Sequence, residues 1–118
     1  MNSIRKLLAD LESSAIEKFA VIYHGRNSIL ATEIIAEGDA EHVMICTATL
    51  FDSINKYGAN MISLVHNHPT GPVRPSKNDL ATTFEIQDRL KRAGMKLHDH
   101  VIVGREGRPY SFLNNGVI

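Results

Sequence analysis

The chain has 118 residues, with 13 Lys and Arg against 13 Asp and Glu, so its net charge is zero when histidine is neutral. That length suits one domain, residues 1–118, which buries roughly two thirds of its unfolded surface and needs no staple. The charge balance argues against a strong polyanion-binding surface, a local basic patch excepted, and the single cysteine, Cys46, excludes an internal disulfide. No signal peptide or long apolar span is visible, so a cytoplasmic protein without membrane attachment is expected.

Ser3 to about Ala15 reads as a helix, because Ile4, Leu7, Leu8 and Leu11 share one face while Arg5, Lys6 and Glu12 take the solvated side. Glu17 stands at the junction with a strand from Phe19 to Tyr23. Gly25-Arg26-Asn27-Ser28 turns the chain, and Ile29 to Ile35 pairs back as a hairpin. Gly38-Asp39 marks a further turn. Glu41 to Cys46 reads either as a short edge strand or as the approach to the next helix. Cys46 follows Val43-Met44-Ile45 and is expected to be a buried small hydrophobe.

Thr47 to Tyr57 is helical, with Leu50, Phe51, Ile54 and Tyr57 on one side and Gly58 suited to its C-cap. Asn60 to Val65 is an apolar run of strand length that leads into His66-Asn67-His68-Pro69. Pro69 cannot donate to a ladder, so the strand should stop there, and Thr70, Gly71, Pro72 and Pro75 predict a loop. Ser76 has the character of an N-cap, with Asp79 at the capping-box position. Lys77 to about Ala93 follows as a long helix with Leu80, Phe84, Ile86, Leu90 and Ala93 inward, ended by Gly94. Leu97 to Val103 and Tyr110 to Leu113 are strands around a turn at 104–109. The alternation implies an α/β or α+β domain, a three-layer α/β/α sandwich around a mixed sheet.

The chemistry concentrates at the end of the central strand. Side chains two apart on a strand point to the same side, so His66 and His68 can reach one ion. Two imidazoles and one carboxylate are a normal set for catalytic zinc, which keeps its fourth position for water. Zinc lowers that water's pKa to about 7, and a nearby base must then move the proton. Glu17, Glu33 and Glu37 are the candidate bases, and any one of them taken alone is a solvated carboxylate. Ser76 and Asp79 taken alone are a capping box. That reading leaves two histidines at strand spacing just upstream unexplained.

The string His66-Asn67-His68-Pro69-Thr70-Gly71, with Ser76 and Asp79 beyond it, resembles the signature of the JAMM (JAB/MPN+) metalloprotease superfamily, and of its RadC-like branch in particular. Glu17-Lys18-Phe19, Asp99-His100-Val101-Ile102-Val103-Gly104 and Tyr110-Ser111-Phe112 resemble flanking segments of that branch, so the likeness covers nearly the whole chain. An Arg usual before the second helix is absent.

The resemblance implies a cytidine-deaminase-like JAB/MPN domain with zinc on His66, His68 and Asp79. It also implies a general base at Glu17, with Glu33 as the alternative, and a hydroxyl at Ser76 for the oxyanion. The implied activity is hydrolysis of a peptide or isopeptide bond in a protein or peptide substrate. The alternatives are a RadC-type DNA-repair or mobile-element accessory, or a catalytically silent JAB-type binding module. Asn67 should point away from the histidines and fix a loop. Asp99 and His100 suit packing or second-layer support of the ligands. His98 and His100 repeat the strand spacing of a ligand pair but lack a third ligand. His24 is expected to be exposed at its turn. Arg89, Lys91, Arg92 and Lys96 complement a helix dipole before they suggest a nucleic acid.

Overall fold

The computed structural model describes residues 2–38, 46–105 and 107–118. In chain order the elements are α1 (Asn2–Ser13), β1 (Glu17–His24), β2 (Ile29–Gly38), α2 (Thr47–Tyr57), β3 (Met61–His68), α3 (Lys77–Arg92), β4 (Lys96–Gly104) and β5 (Tyr110–Ser111). The five strands form one mixed sheet in the order β2-β1-β3-β4-β5. β3 runs antiparallel to β1 and parallel to β4. It is therefore the central strand, covered on both faces, and Ile62 through Asn67 are buried without interruption. That burial explains a continuous apolar run where a half-exposed strand would alternate.

The helices close the two faces. Leu7 and Leu11 of α1 pack on Ala20, Ile22, Val65 and Val103. Leu50 and Ile54 of α2, with Ile86 and Leu90 of α3, pack on the opposite face against Val21, Tyr23, Ile62 and Leu64. This is the three-layer α/β/α arrangement expected. Strand alternation sets the function-bearing side: Ile62 and Leu64 face α2 and α3, so His66 and His68 do also. Val21 and Phe19 face that side on β1, and Glu17 continues the same parity. Among the described residues no helix is long and apolar enough to cross a membrane.

Several expectations are corrected. Phe84 is 46% exposed and Ala93 is exposed. The inward stripe of α3 is Asp79, Thr83, Ile86 and Leu90. Each helical residue turns about 100°, so burying Thr83 rotates Phe84 outward. Apolar periodicity missed this because two members of the stripe are polar. Cys46 is exposed and stands immediately before α2, while 41–45 lie outside the described residues, as does Asp39 of the expected turn.

The last strand is two residues long, because the chain turns back after Ser111. His98 and His100 do not share a side. The β3–β4 register jumps from Leu97 to Asp99, so His98 bulges outward while His100 is wholly buried. His24 is half-buried, with Nε2 2.8 Å from Ser63 Oγ. The remaining boundaries fall within a few residues of those expected, and Gly58 and Gly94 adopt the positive φ that ends α2 and follows α3.

The register of α3 gives a direct test. Ile86→Ala should cost about 2–5 kcal/mol in urea unfolding. Phe84→Ala should cost about 1 kcal/mol or less, as a partly exposed site does.

Candidate metal centre

Three elements meet at the end of β3. Glu17, His66, His68 and Asp79 each offer a ligand atom, and these atoms lie within 4.8 Å of one another. His66 Nε2 is 3.1 Å from His68 Nε2, 3.2 Å from Asp79 Oδ1 and 3.7 Å from Glu17 Oε1. His68 Nε2 is 3.1 Å from Asp79 Oδ2. His66, Glu17 and Asp79 are buried and His68 is half-buried, so the group opens to solvent on the His68 side. Beside it, His68, Pro69, Thr70, Gly71 and Arg105 line a cleft of about 280 Å³.

Asp79 reaches the group because Ser76 caps α3. Ser76 Oγ accepts from the Asp79 N–H at 3.0 Å, and Asp79 Oδ2 accepts from the Ser76 N–H at 2.9 Å. This reciprocal box orients the carboxylate, and the positive end of the helix dipole favours its charge. Capping and facing the histidines are thus one geometry. The Ser76 hydroxyl still has its own proton to donate outward.

The donor chemistry fits a cation. His68 Nδ1 lies 3.0 Å from the Pro72 carbonyl oxygen. A carbonyl only accepts, so this nitrogen carries the ring proton and a neutral His68 turns a lone pair inward at Nε2. It meets an Asp79 carboxylate oxygen and the other imidazole nitrogen at 3.1 Å each, about the separation that a shared tetrahedral ion imposes on its ligands. Lone pairs packed this way repel unless a positive charge joins them. Without a metal, only a proton can do so.

The titration directions agree. The hydrogen bond with Asp79 holds His68 above the usual histidine value. Burial pushes His66 below it, with Asp79 opposing only in part. Burial works to raise Asp79, but the two imidazoles beside it prevail and hold its carboxyl well below the usual range. Of the two imidazoles, His68 is thus the one favoured to carry positive charge.

Glu17 is held from both sides. The β1–β3 ladder ends at Phe19 opposite His66. Beyond it the Asn67 side chain takes over, with Oδ1 accepting from the Lys18 N–H at 2.7 Å and Nδ2 donating to the Ile16 carbonyl at 3.0 Å. One amide thereby pins the residues on either side of Glu17. Asn67 does point away from the histidines, as expected, but it fixes the start of a strand where a loop was expected.

The other marked segments also converge here. Phe19 stacks on the His66 ring at 4.6 Å, and Phe112 stacks on His100 at 4.4 Å. His66 Nδ1 is 2.7 Å from His100 Nε2. Asp99 accepts from the Ser111 hydroxyl at 2.6 Å and from the His100 and Leu113 amides, tying the C-terminal turn to β4.

Glu33 stands outside the group, accepting hydrogen bonds from Tyr23 and Tyr57 at 3.2 Å each. Glu37 is exposed on β2. Arg89, Lys91 and Arg92 lie in the last turn of α3, where they complement its dipole, and Arg89 and Arg92 pair with Glu85 and Asp88 on the same helix. Thr83, which contacts His100, was missed by sequence reasoning. Its one signal was a polar residue one turn after Asp79, in line with Ile86 and Leu90.

Two outcomes are expected. Asn67→Ala strips two backbone groups of their partner and should cost about 1–3 kcal/mol in chemical denaturation, near the penalty for an orphaned buried donor. For the metal-free protein, burial depresses His66 and His100 and the Asp79 contact raises only His68. The unfolded chain then binds more protons below its histidine pKa of about 6.5, so the unfolding free energy should fall as pH drops from about 7.5 to 5.5. Urea titrations at the two pH values read the sign.

A UPF0758 protein of Rhodobacter capsulatus is 35% identical over 103 residues, which cover 86% of this chain and 48% of that protein. A UPF0758 protein of Staphylococcus carnosus (strain TM300) is 35% identical over 89 residues, 75% of this chain and 39% of that protein. One from Porphyromonas gingivalis is 28% identical over 116 residues, 98% and 50% respectively. The chain thus spans half or less of the length of these curated relatives. The sequence model of the RadC-like JAB domain matches residues 1–117, and this chain belongs to that family.

Proposed function

We propose that the chain is a zinc-dependent hydrolase of peptide or isopeptide bonds. The observation that carries the reading is the convergence of two imidazole nitrogens and a carboxylate oxygen, with a second carboxylate beside them and a cleft alongside. Three protein ligands with a position left open are the pattern of a catalytic zinc site. Mixed nitrogen and oxygen donors also suit zinc better than magnesium or calcium. His66 Nε2, His68 Nε2 and Asp79 Oδ1 would hold the ion, which when bound polarises a scissile carbonyl and makes a water easier to deprotonate.

The chain's own groups do the rest. Glu17 Oε1, 3.7 Å from His66 Nε2, takes the proton of the attacking water and returns it to the leaving amine. Its seat on a pinned, buried strand end spares it reorganisation during that transfer. Ser76 Oγ donates its free proton to the oxyanion of the tetrahedral intermediate. The cleft lined by His68, Pro69, Thr70, Gly71 and Arg105 receives the substrate backbone.

The test begins with zinc analysis of the purified protein, followed by assay on peptide and ubiquitin-like isopeptide substrates. Glu17→Gln should bind zinc in wild-type stoichiometry and lose about 10²–10⁴-fold in turnover, the usual worth of a general base. His68→Ala should lose zinc itself. Stoichiometric zinc with no hydrolysis of any substrate would replace the hydrolase reading with that of a silent binding module.

A further inference from the structure

His66 and Asp79 come from different elements, yet a closed chain of buried polar atoms links them. His66 Nδ1 lies 2.7 Å from His100 Nε2, His100 Nδ1 lies 2.6 Å from Thr83 Oγ1, and Thr83 Oγ1 lies 2.7 Å from the Asp79 carbonyl oxygen. Thr83 and His100 are wholly buried, and neither belongs to the four-residue group.

The protons in this chain can be placed by elimination. A carbonyl oxygen only accepts, so the single Thr83 proton goes to Asp79. Thr83 must then accept from His100, which puts a proton on His100 Nδ1. His100 is enclosed with Phe112 stacked at 4.4 Å and Phe19 at 5.4 Å, a setting in which an imidazolium is strongly disfavoured. Neutral, it has one proton only, so its Nε2 accepts. His66 Nδ1 must donate to it, and the His66 lone pair is left on Nε2, toward His68 and Asp79. Every link has one direction, and the direction is set by a helix carbonyl.

We infer that Thr83 and His100 are positioning residues for the metal centre, locking His66 in the tautomer whose Nε2 can ligate an ion. The inference about metal rests on the function proposed above; the tautomer itself does not. Reversing the chain would put a proton on His66 Nε2, where it would block ligation. The same loop couples the two ligand-bearing elements, because Thr83 sits one turn after Asp79 on α3 and His100 lies beside β3. A tautomer set by the partner of the other ring nitrogen is the usual device at metal-bound histidines. Here the partner is a second imidazole whose own proton is set by a threonine.

The test uses the full chain with imidazole-¹⁵N NMR of the metal-free protein and chelator competition for zinc. Wild type and Thr83→Ser should both show His66 protonated at Nδ1, with unchanged zinc affinity. Thr83→Val keeps the volume and removes the acceptor. It should shift His66 toward the Nε2-protonated form and weaken zinc binding about 10–100-fold, the usual cost of losing such a partner. His100→Gln offers an acceptor toward His66 and a donor toward Thr83, and should retain the wild-type His66 tautomer.

A Thr83→Val protein with wild-type His66 tautomer and zinc affinity would overturn the inference. So would a His100→Gln protein whose His66 is protonated at Nε2. A wild-type protein that fails to bind zinc would overturn the metal reading alone, since the tautomers are read without metal.

Discussion

Two imidazole nitrogens and two carboxylates are pressed together at one end of a sheet, with too few protons among them to relieve their mutual repulsion. Groups of this kind are costly to bury unless a charge of opposite sign joins them. Much of the surrounding architecture bears that cost. The capping box of α3 holds Asp79 in place, the Asn67 amide holds the backbone around Glu17, and Pro72 fixes the ring proton of His68. Phe19 and Phe112 press on the rings of His66 and His100. A cation held among them would turn these mutually repelling groups into a stabilised set, so the local fold is suited to hold one.

The sheet order serves the same end. Placing β3 between β1 and β4 brings Glu17 to one side of the histidines and His100 to the other. A central parallel pair buries both faces, so His100 can be kept neutral and unsolvated beside His66. The antiparallel β1–β3 ladder stops at His66, two residues short of His68, and the Asn67 side-chain amide continues it. That amide anchors the backbone on either side of Glu17. The outer end of the group, at His68, faces the cleft beneath Arg105. Access is thus from the loop between β3 and α3.

Family membership sharpens this physical picture without adding an activity to it. The segments whose sequence resembles the RadC-like JAB domain, Glu17-Lys18-Phe19, His66 through Pro69, Ser76 and Asp79, Asp99-His100 and Tyr110-Ser111-Phe112, each supply a side chain in or next to the centre. Each segment has a physical task here, whether as donor, cap, stacking ring or turn anchor. Asp99, for example, fastens the chain after β5 and so seats Phe112 against His100.

Much of the centre was legible in the residues because its rules are local. The two-residue period of a strand put His66 and His68 together, the three-residue reach of a helix cap placed Asp79, and proline and glycine marked where β3 and α2 end. Contacts between distant segments follow no local period. Nothing in the sequence sets the distance from Glu17 to His66, or sends the Asn67 amide to Ile16 and Lys18. Nor does it show that a bulge at His98 parts it from His100. Phe84 misled for the same reason: its apolarity argued for burial, while the buried position went to Thr83, whose hydroxyl has a partner on another strand. Sequence alone determined the elements and the donor types, because those depend on neighbours along the chain. Only the tertiary structure decided which donors face one another and where their protons lie, because hydrogen-bond direction depends on partners brought together through space.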